Sequence, residues 1–336
     1  MGNDNSGKFI VSASQYLGLI ILMSTLFIGI TYFTDGNIVI SIPVTIVLSA
    51  LFFILVNFFI KEKRNMSRGG YKSQTIILFI FYIILAIPAS LISTHAINVE
   101  LFEKENIKQI SKNRIDAIYA LDEWYADKKD SLLDAWRADM ESHVSNFLSR
   151  TGQSKNNAKA KLQGFPFQLP IEEITRNNKN VIIQMKMEDW NILFEDGIRD
   201  LIVKKDTVIS QNTKALKNWN RFSINEKFKN LEAFVLESKE KMETFFSDQC
   251  RIELKFDLVP YTKEITLLNQ PIALFAKHLN PISIGIILAM QFLILLPYFL
   301  TKKTVYNKKG FFGKAKKNKQ ERETYGSGDD ITGTEI

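Results

Sequence analysis

Four stretches of this chain carry no Asp, Glu, Lys or Arg: residues 10–33, 37–60, 74–98 and 279–300. Each meets the requirement of roughly 20 apolar residues for crossing a hydrocarbon core about 30 Å thick. Inside lipid no water satisfies the peptide groups, so a spanning segment must be a helix or part of a closed barrel. Barrel strands alternate apolar with polar residues, and these runs do not. The expected fold class is therefore an α-helical polytopic membrane protein with four transmembrane helices. The first run follows a single Lys8, has no small-x-small site after it, and is succeeded almost at once by the second. It reads as a span and not as a cleaved leader.

Basic residues give the expected orientation. Lys61, Lys63, Arg64, Arg68 and Lys72 follow the second run against one acidic residue, Glu62. Beyond the fourth run lies a second basic stretch, from Lys302 to Arg322. Such clusters mark cytoplasmic flanks, whereas the turn Thr34-Asp35-Gly36-Asn37 has no basic residue. Alternation then places both termini in the cytoplasm and residues 99–278 outside. Residues 96–278 hold 28 basic and 28 acidic side chains. The net charge of +7 thus comes from the membrane flanks and gives no reason to expect nucleic acid as a partner. Cys250 is the only cysteine, and the one Asn-x-Ser/Thr triplet, at Asn65, falls in the basic loop. An exported domain without disulfide or glycosylation site fits a bacterial inner membrane and the periplasm.

The expected organisation is three membrane helices within 1–98, a periplasmic domain over 99–278, a fourth helix at 279–300, and a tail at 301–336. That tail is basic and then acidic, with too little apolar content to fold. Its lysines, with Phe311 and Phe312, are expected to meet anionic lipid. In the exported domain, Ile107, Ile110, Ile118, Leu121, Tyr125, Leu132, Trp136, Met140, Val144 and Phe147 recur at helical steps. They predict one long helix or two stacked ones over residues 100–150. The stripe leaves open whether it packs on its own domain or on another subunit. Residues 151–170, with their Gly, Asn and Pro, read as a loop. Residues 190–204 and 226–246 show helical spacing. The segments Asn-Val-Ile-Ile-Gln-Met-Lys-Met-Glu from Asn180 and Cys-Arg-Ile-Glu-Leu-Lys-Phe-Asp-Leu from Cys250 alternate with period two. That period predicts two half-buried strands, paired in a small sheet. The domain is expected to be α+β and dominated by helix.

Residues that carry chemistry are scarce. His95, His143 and His278 lie apart, without metal-ligand spacing, and read as surface or interfacial histidines. The sequence has no phosphate-binding glycine loop and no nucleophile elbow. Its carboxylates stand beside lysines at helical-surface spacing. No catalytic, cofactor-binding or metal-binding residue is expected, no cofactor, and no enzymatic activity. Asn57 and Gln291 are the notable polar groups within the spans, suited to hydrogen bonding between helices. No charged residue lies inside a span, so an ion or proton path lacks its usual groups.

The third run passes into charged helix without Gly or Pro: Leu91-Ile-Ser-Thr-His-Ala-Ile-Asn-Val-Glu-Leu-Phe-Glu-Lys-Glu-Asn106. A hinge-free join of this kind serves a rigid scaffold or a signal relay. It resembles a segment of an uncharacterised family of bacterial four-span membrane proteins, in which a Phe-Glu-Lys-Glu run, here Phe102–Glu105, follows the third span. Where that family places an Asn-x-Asp-Arg run, this chain has Leu55-Val-Asn-Phe-Phe-Ile-Lys-Glu-Lys-Arg-Asn65. The layout also resembles the TssN polytopic inner-membrane subunits of Bacteroidota-type type VI secretion systems. The hinge-free join, the amphipathic stripes and the absence of site chemistry give the leading expectation, a non-enzymatic structural subunit of an envelope-spanning assembly, for which the resemblance suggests a type VI secretion membrane complex. Its partners would be further copies of the chain, other envelope proteins and membrane lipid. A membrane sensor coupling the periplasmic domain to a cytoplasmic partner is the alternative.

Overall fold

The computed structural model describes residues 3–64, 71–262 and 268–301. The chain divides into two compact units, one holding everything up to Lys104 and from Leu267 onward, the other Glu105–Thr266.

In the first unit, α1 (Asn3–Phe33), α2 (Ile38–Arg64), α3 (Tyr71–Asn98) and α10 (Pro281–Leu300) are joined by a short helix, α9 (Pro271–Lys277). Within the four long helices lie segments apolar enough to cross a membrane, with mean hydropathies of 2.0, 2.8, 2.6 and 2.2. The outer surface is unlike that of a water-soluble bundle. Ser41, Thr45, Thr75 and Ser93 are buried, while Val39, Ile84, Ile87 and Leu288 are exposed. Lipid accepts large aliphatic groups, and small hydroxyl residues let helices approach closely. This is a multi-pass helical membrane unit.

Helix α1 is its hub, packing on α2, α3 and α10. Two glycines make that possible. A Cβ on Gly18 would lie 2.9 Å from Ile294, and one on Gly29 would lie 2.3 Å from the Ile92 carbonyl oxygen. Around these contacts Leu22, Leu26, Phe52, Val56, Met290 and Ile294 close the core. Polar contacts tie the helices together. Tyr82 donates to Gln291, Gln291 Nε2 reaches Ser90 Oγ at 3.3 Å, and Thr25 donates to Ser93 at 3.0 Å. Gln291 thus plays the expected part, whereas Asn57 lies on the exposed side of α2. Lys63 donates to the carbonyls of Tyr298 and Phe299, the negative end of α10, and lies 4.7 Å from the Tyr298 ring centroid. Pro43, Pro88 and Pro297 sit inside α2, α3 and α10.

The second unit is built from α4 (Lys104–Ser149), α5 (Gly152–Gln163), α6 (Lys179–Lys217), α7 (Ile224–Cys250) and α8 (Val259–Thr262). The stripe read from the sequence faces inward along one uninterrupted helix: Ile118, Leu121, Tyr125, Trp136, Met140 and Val144 of α4 are buried. They meet Trp190 and Phe194 of α6 and Phe245 and Phe246 of α7. Trp136 and Trp190 lie 4.4 Å apart between ring centroids, and Phe194 and Phe245 lie 5.0 Å apart. Gly197 lets α6 close on α7, since a Cβ there would lie 2.4 Å from the Phe245 ring.

Two expectations are corrected. No strand occurs among the described residues, so the domain is helical and not α+β. The first supposed strand lies wholly inside α6. Its alternation is short, and the longer pattern Ile183, Trp190, Phe194, Ile198, Leu201 is helical and buried. Met185, which a strand would turn inward, is exposed. The second, Cys250 to Leu258, begins at the last residue of α7 and then does alternate over 251–258, with its odd members exposed and its apolar members packed on the core. It is extended chain laid on helices. Without a mate it forms no ladder, and the Phe256 amide donates instead to Glu243 at 2.7 Å. The second correction is α5, which occupies part of the expected loop. It has no β-branched residue, and it buries Ala158 and Leu162 at a four-residue step.

Candidate functional site

The join between α3 and α4 is where the sequence was most suggestive, and there the backbone departs from regular helix. Val99–Glu103 forms a π-helical turn, so helical hydrogen bonding continues from Tyr71 to Ser149 with one widened turn. Such turns insert an extra residue and rotate the side chains around it, and they are common at functional positions. Here the turn carries two carboxylates, Glu100 and Glu103, into a polar cluster at the Asn98 end of the membrane bundle.

Each carboxylate is held from a different element. Tyr32, at the end of α1, donates its hydroxyl to Glu100 at 2.6 Å. Glu103, only 2% exposed, accepts from Lys277 Nζ at 2.7 Å and makes a close hydrogen bond with His278 Nε2. A buried carboxylate is costly unless it is paired and hydrogen-bonded, and Glu103 is both. The ring of Phe102 stacks on His278 at 5.9 Å. Asn98 donates to the His278 carbonyl at 3.2 Å and accepts from Ser283 of α10. The cluster therefore joins α1, α3, the π turn, α9 and α10 through side chains.

His95 is not a surface histidine: it is 1% exposed, one turn below the cluster. Its Nε2 lies 2.7 Å from the Leu268 carbonyl oxygen, which can only accept, so Nε2 carries the proton there. The Tyr32 ring meets the imidazole edge-on at 6.4 Å. His278 is hydrogen-bonded to Glu103, whereas His143 is half-buried against Phe167. Among the described residues no three His, Cys, Asp or Glu side chains converge as metal ligands would. The arrangement is one of clamping. It links helix ends through side chains, and His278 faces the Glu103 carboxylate and the Phe102 ring.

In the Glu105–Thr266 unit, two shallow grooves are present. One, of about 280 Å³, lies between α4 and α6 beside Tyr125, Phe194 and Ile198. At its edge Lys205 donates to Asp122 at 2.9 Å, a hydrogen bond that raises the lysine above its ordinary range. The other, of about 410 Å³, runs between α6 and α7 beside Gly197 and Phe245, with Glu237, Glu240 and Asp248 at its rim. Cys250 is buried at the end of α7, and burial pushes its thiol up to about 12.

Sequence reading missed Glu103, Lys277 and His278 as a set. Only the run of carboxylates directly after an apolar span hinted at them, since their partners lie far along the chain. The basic tail and residues 65–70 lie outside the described residues. No protein-family model, curated protein or solved structure matches the chain.

Proposed function

We propose that this protein is a non-enzymatic structural subunit of an envelope-spanning assembly in a bacterial inner membrane. The observation that carries the reading is the join. The apolar helix α3 runs into the π turn without Gly or Pro, and that turn is clamped through Glu100 and Glu103. A clamp of this kind suits a part that must hold its helix ends in place. In this reading both termini are cytoplasmic, the Glu105–Thr266 unit is periplasmic, and the chain assembles with copies of itself and with other envelope proteins. A TssN-like position in a type VI secretion membrane complex is the specific form of the proposal. The helical unit is the surface offered to partners, and the basic tail meets anionic lipid.

Blue-native electrophoresis after gentle solubilisation, with site-specific crosslinking from Val203 of α6, tests it. A higher-order species containing this chain and envelope proteins is expected. A lone monomer with no crosslinked partner would defeat the proposal. The groove between α4 and α6 favours a second reading, a sensor that takes a small ligand there and signals through the tail. Deleting residues 314–336 separates the two, since a scaffold still assembles and a sensor falls silent.

A further inference from the structure

Helix α9 has an exposed face that is mostly apolar, with the 44% exposed side chain of Lys277 at its C-terminal end. Ile272 is 72% exposed, and Ala273 and Ala276 share that side. The opposite side is already used: Leu274 is fully buried, with α9 packed on α3. The helix has one charged residue, Lys277, and its ammonium is bound to Glu103. The apolar face of an amphipathic helix is normally covered, by protein or at a membrane interface, while a long lysine can reach from it to a polar partner.

The chain indicates what covers the open side. Asn280 donates its backbone N–H to the His278 carbonyl at 2.8 Å and caps α10 by accepting from the Ile282 amide at 2.8 Å. That tight turn leaves no linker, so Leu279, 65% exposed, runs directly into Ile282, Leu288 and Phe292 on the exposed side of α10. This side of a membrane-spanning helix faces lipid. The π turn beside α9 adds Leu101, itself exposed, next to the Phe102 ring that stacks on His278. Exposed apolar residues thus recur along the chain from Ile272 through Leu279 into α10. The 20 residues of α10 cover about 30 Å, which is the hydrocarbon thickness, so α9 falls at its boundary.

We propose that α9 and Leu279 form an interfacial foot whose open face is covered by lipid, at the glycerol and upper acyl level of the bilayer. The Glu103–Lys277–His278 cluster then sits at the polar edge of the membrane, above the foot that anchors it.

The test uses the full chain in phospholipid vesicles. Nitroxide labels are placed by Ile272→Cys and Leu279→Cys in a Cys250→Ala background, with Leu288→Cys as the lipid reference and Tyr119→Cys as the water reference. Collision with oxygen, which concentrates in lipid, is compared with collision with a water-soluble nickel chelate. Positions 272 and 279 are expected to favour oxygen, as position 288 does. Preference for nickel, as at position 119, would overturn the proposal. So would protection from both reagents, which would mean that a second copy or another protein covers the face. Where labelling perturbs folding, an apolar carbene photoreagent dissolved in the bilayer serves on the unmodified chain. Adducts on residues 271–279 as well as on α10 are expected; adducts on α10 with none on 271–279 would equally overturn it.

Discussion

Individual residues decide how closely these helices approach, and glycine shows it most sharply. At Gly29 a Cβ would meet a backbone carbonyl, which cannot rotate away, whereas at Gly285 nothing lies within 4 Å. Gly29→Val should therefore force α1 from α3 and cost at least the 1–3 kcal/mol typical of overpacking, roughly. Gly285→Ala should stay within about 0.5 kcal/mol of the parent. Thermal unfolding of both variants in detergent checks the contrast, and equal effects would refute the proposed helix crossing. Cys250 offers a pH test. Its thiol is raised from 9.0 to about 12 by burial, so the folded state holds the proton more tightly than the unfolded chain. The associated stability is complete below about 9 and drains away as pH rises from there through about 12, with a slope of at most about 1.4 kcal/mol per pH unit. Cys250→Ala should lose that part of the slope in urea titrations across the window. An unchanged slope would mean that the thiol is not held protonated by the fold.

At the scale of elements, periodicity was legible where it was long and misleading where it was short. The α4 stripe spans many turns, and its inward face could be named residue by residue. The run from Asn180 has only a few alternations, and a helix extending to Lys217 overrode them. The segment 251–258 is more instructive, because its alternation is real and its strand is not. Period two reports an extended chain with one covered face; a ladder needs a second extended chain beside it, and here helices provide the cover. Hydrogen exchange distinguishes the two. The amides of Leu254 and Lys255 should exchange close to the unprotected rate, while that of Phe256 is slowed by its bond to Glu243 and released by Glu243→Ala. Protection across all three would indicate a paired strand.

For the whole molecule, two compact units with separate cores should respond separately to denaturant. All four tryptophans, Trp124, Trp136, Trp190 and Trp219, belong to the Glu105–Thr266 unit. Tryptophan emission in urea should therefore follow that unit alone, shifting red in one transition while far-ultraviolet circular dichroism keeps the membrane helices' share of the signal. Coincident loss of both signals would show a single cooperative unit. The sequence by itself determined the spans, because the cost of burying a peptide group or a charge in lipid is a local property of some 20 consecutive residues. It determined α4 and α7 for a similar reason, since a helical stripe is written within one segment. The tertiary structure alone decided the π turn, the burial of His95 and the partnership of Glu103 with Lys277 and His278. These groups lie on opposite sides of an intervening unit in the chain, and no local pattern records which distant side chain will satisfy a buried carboxylate.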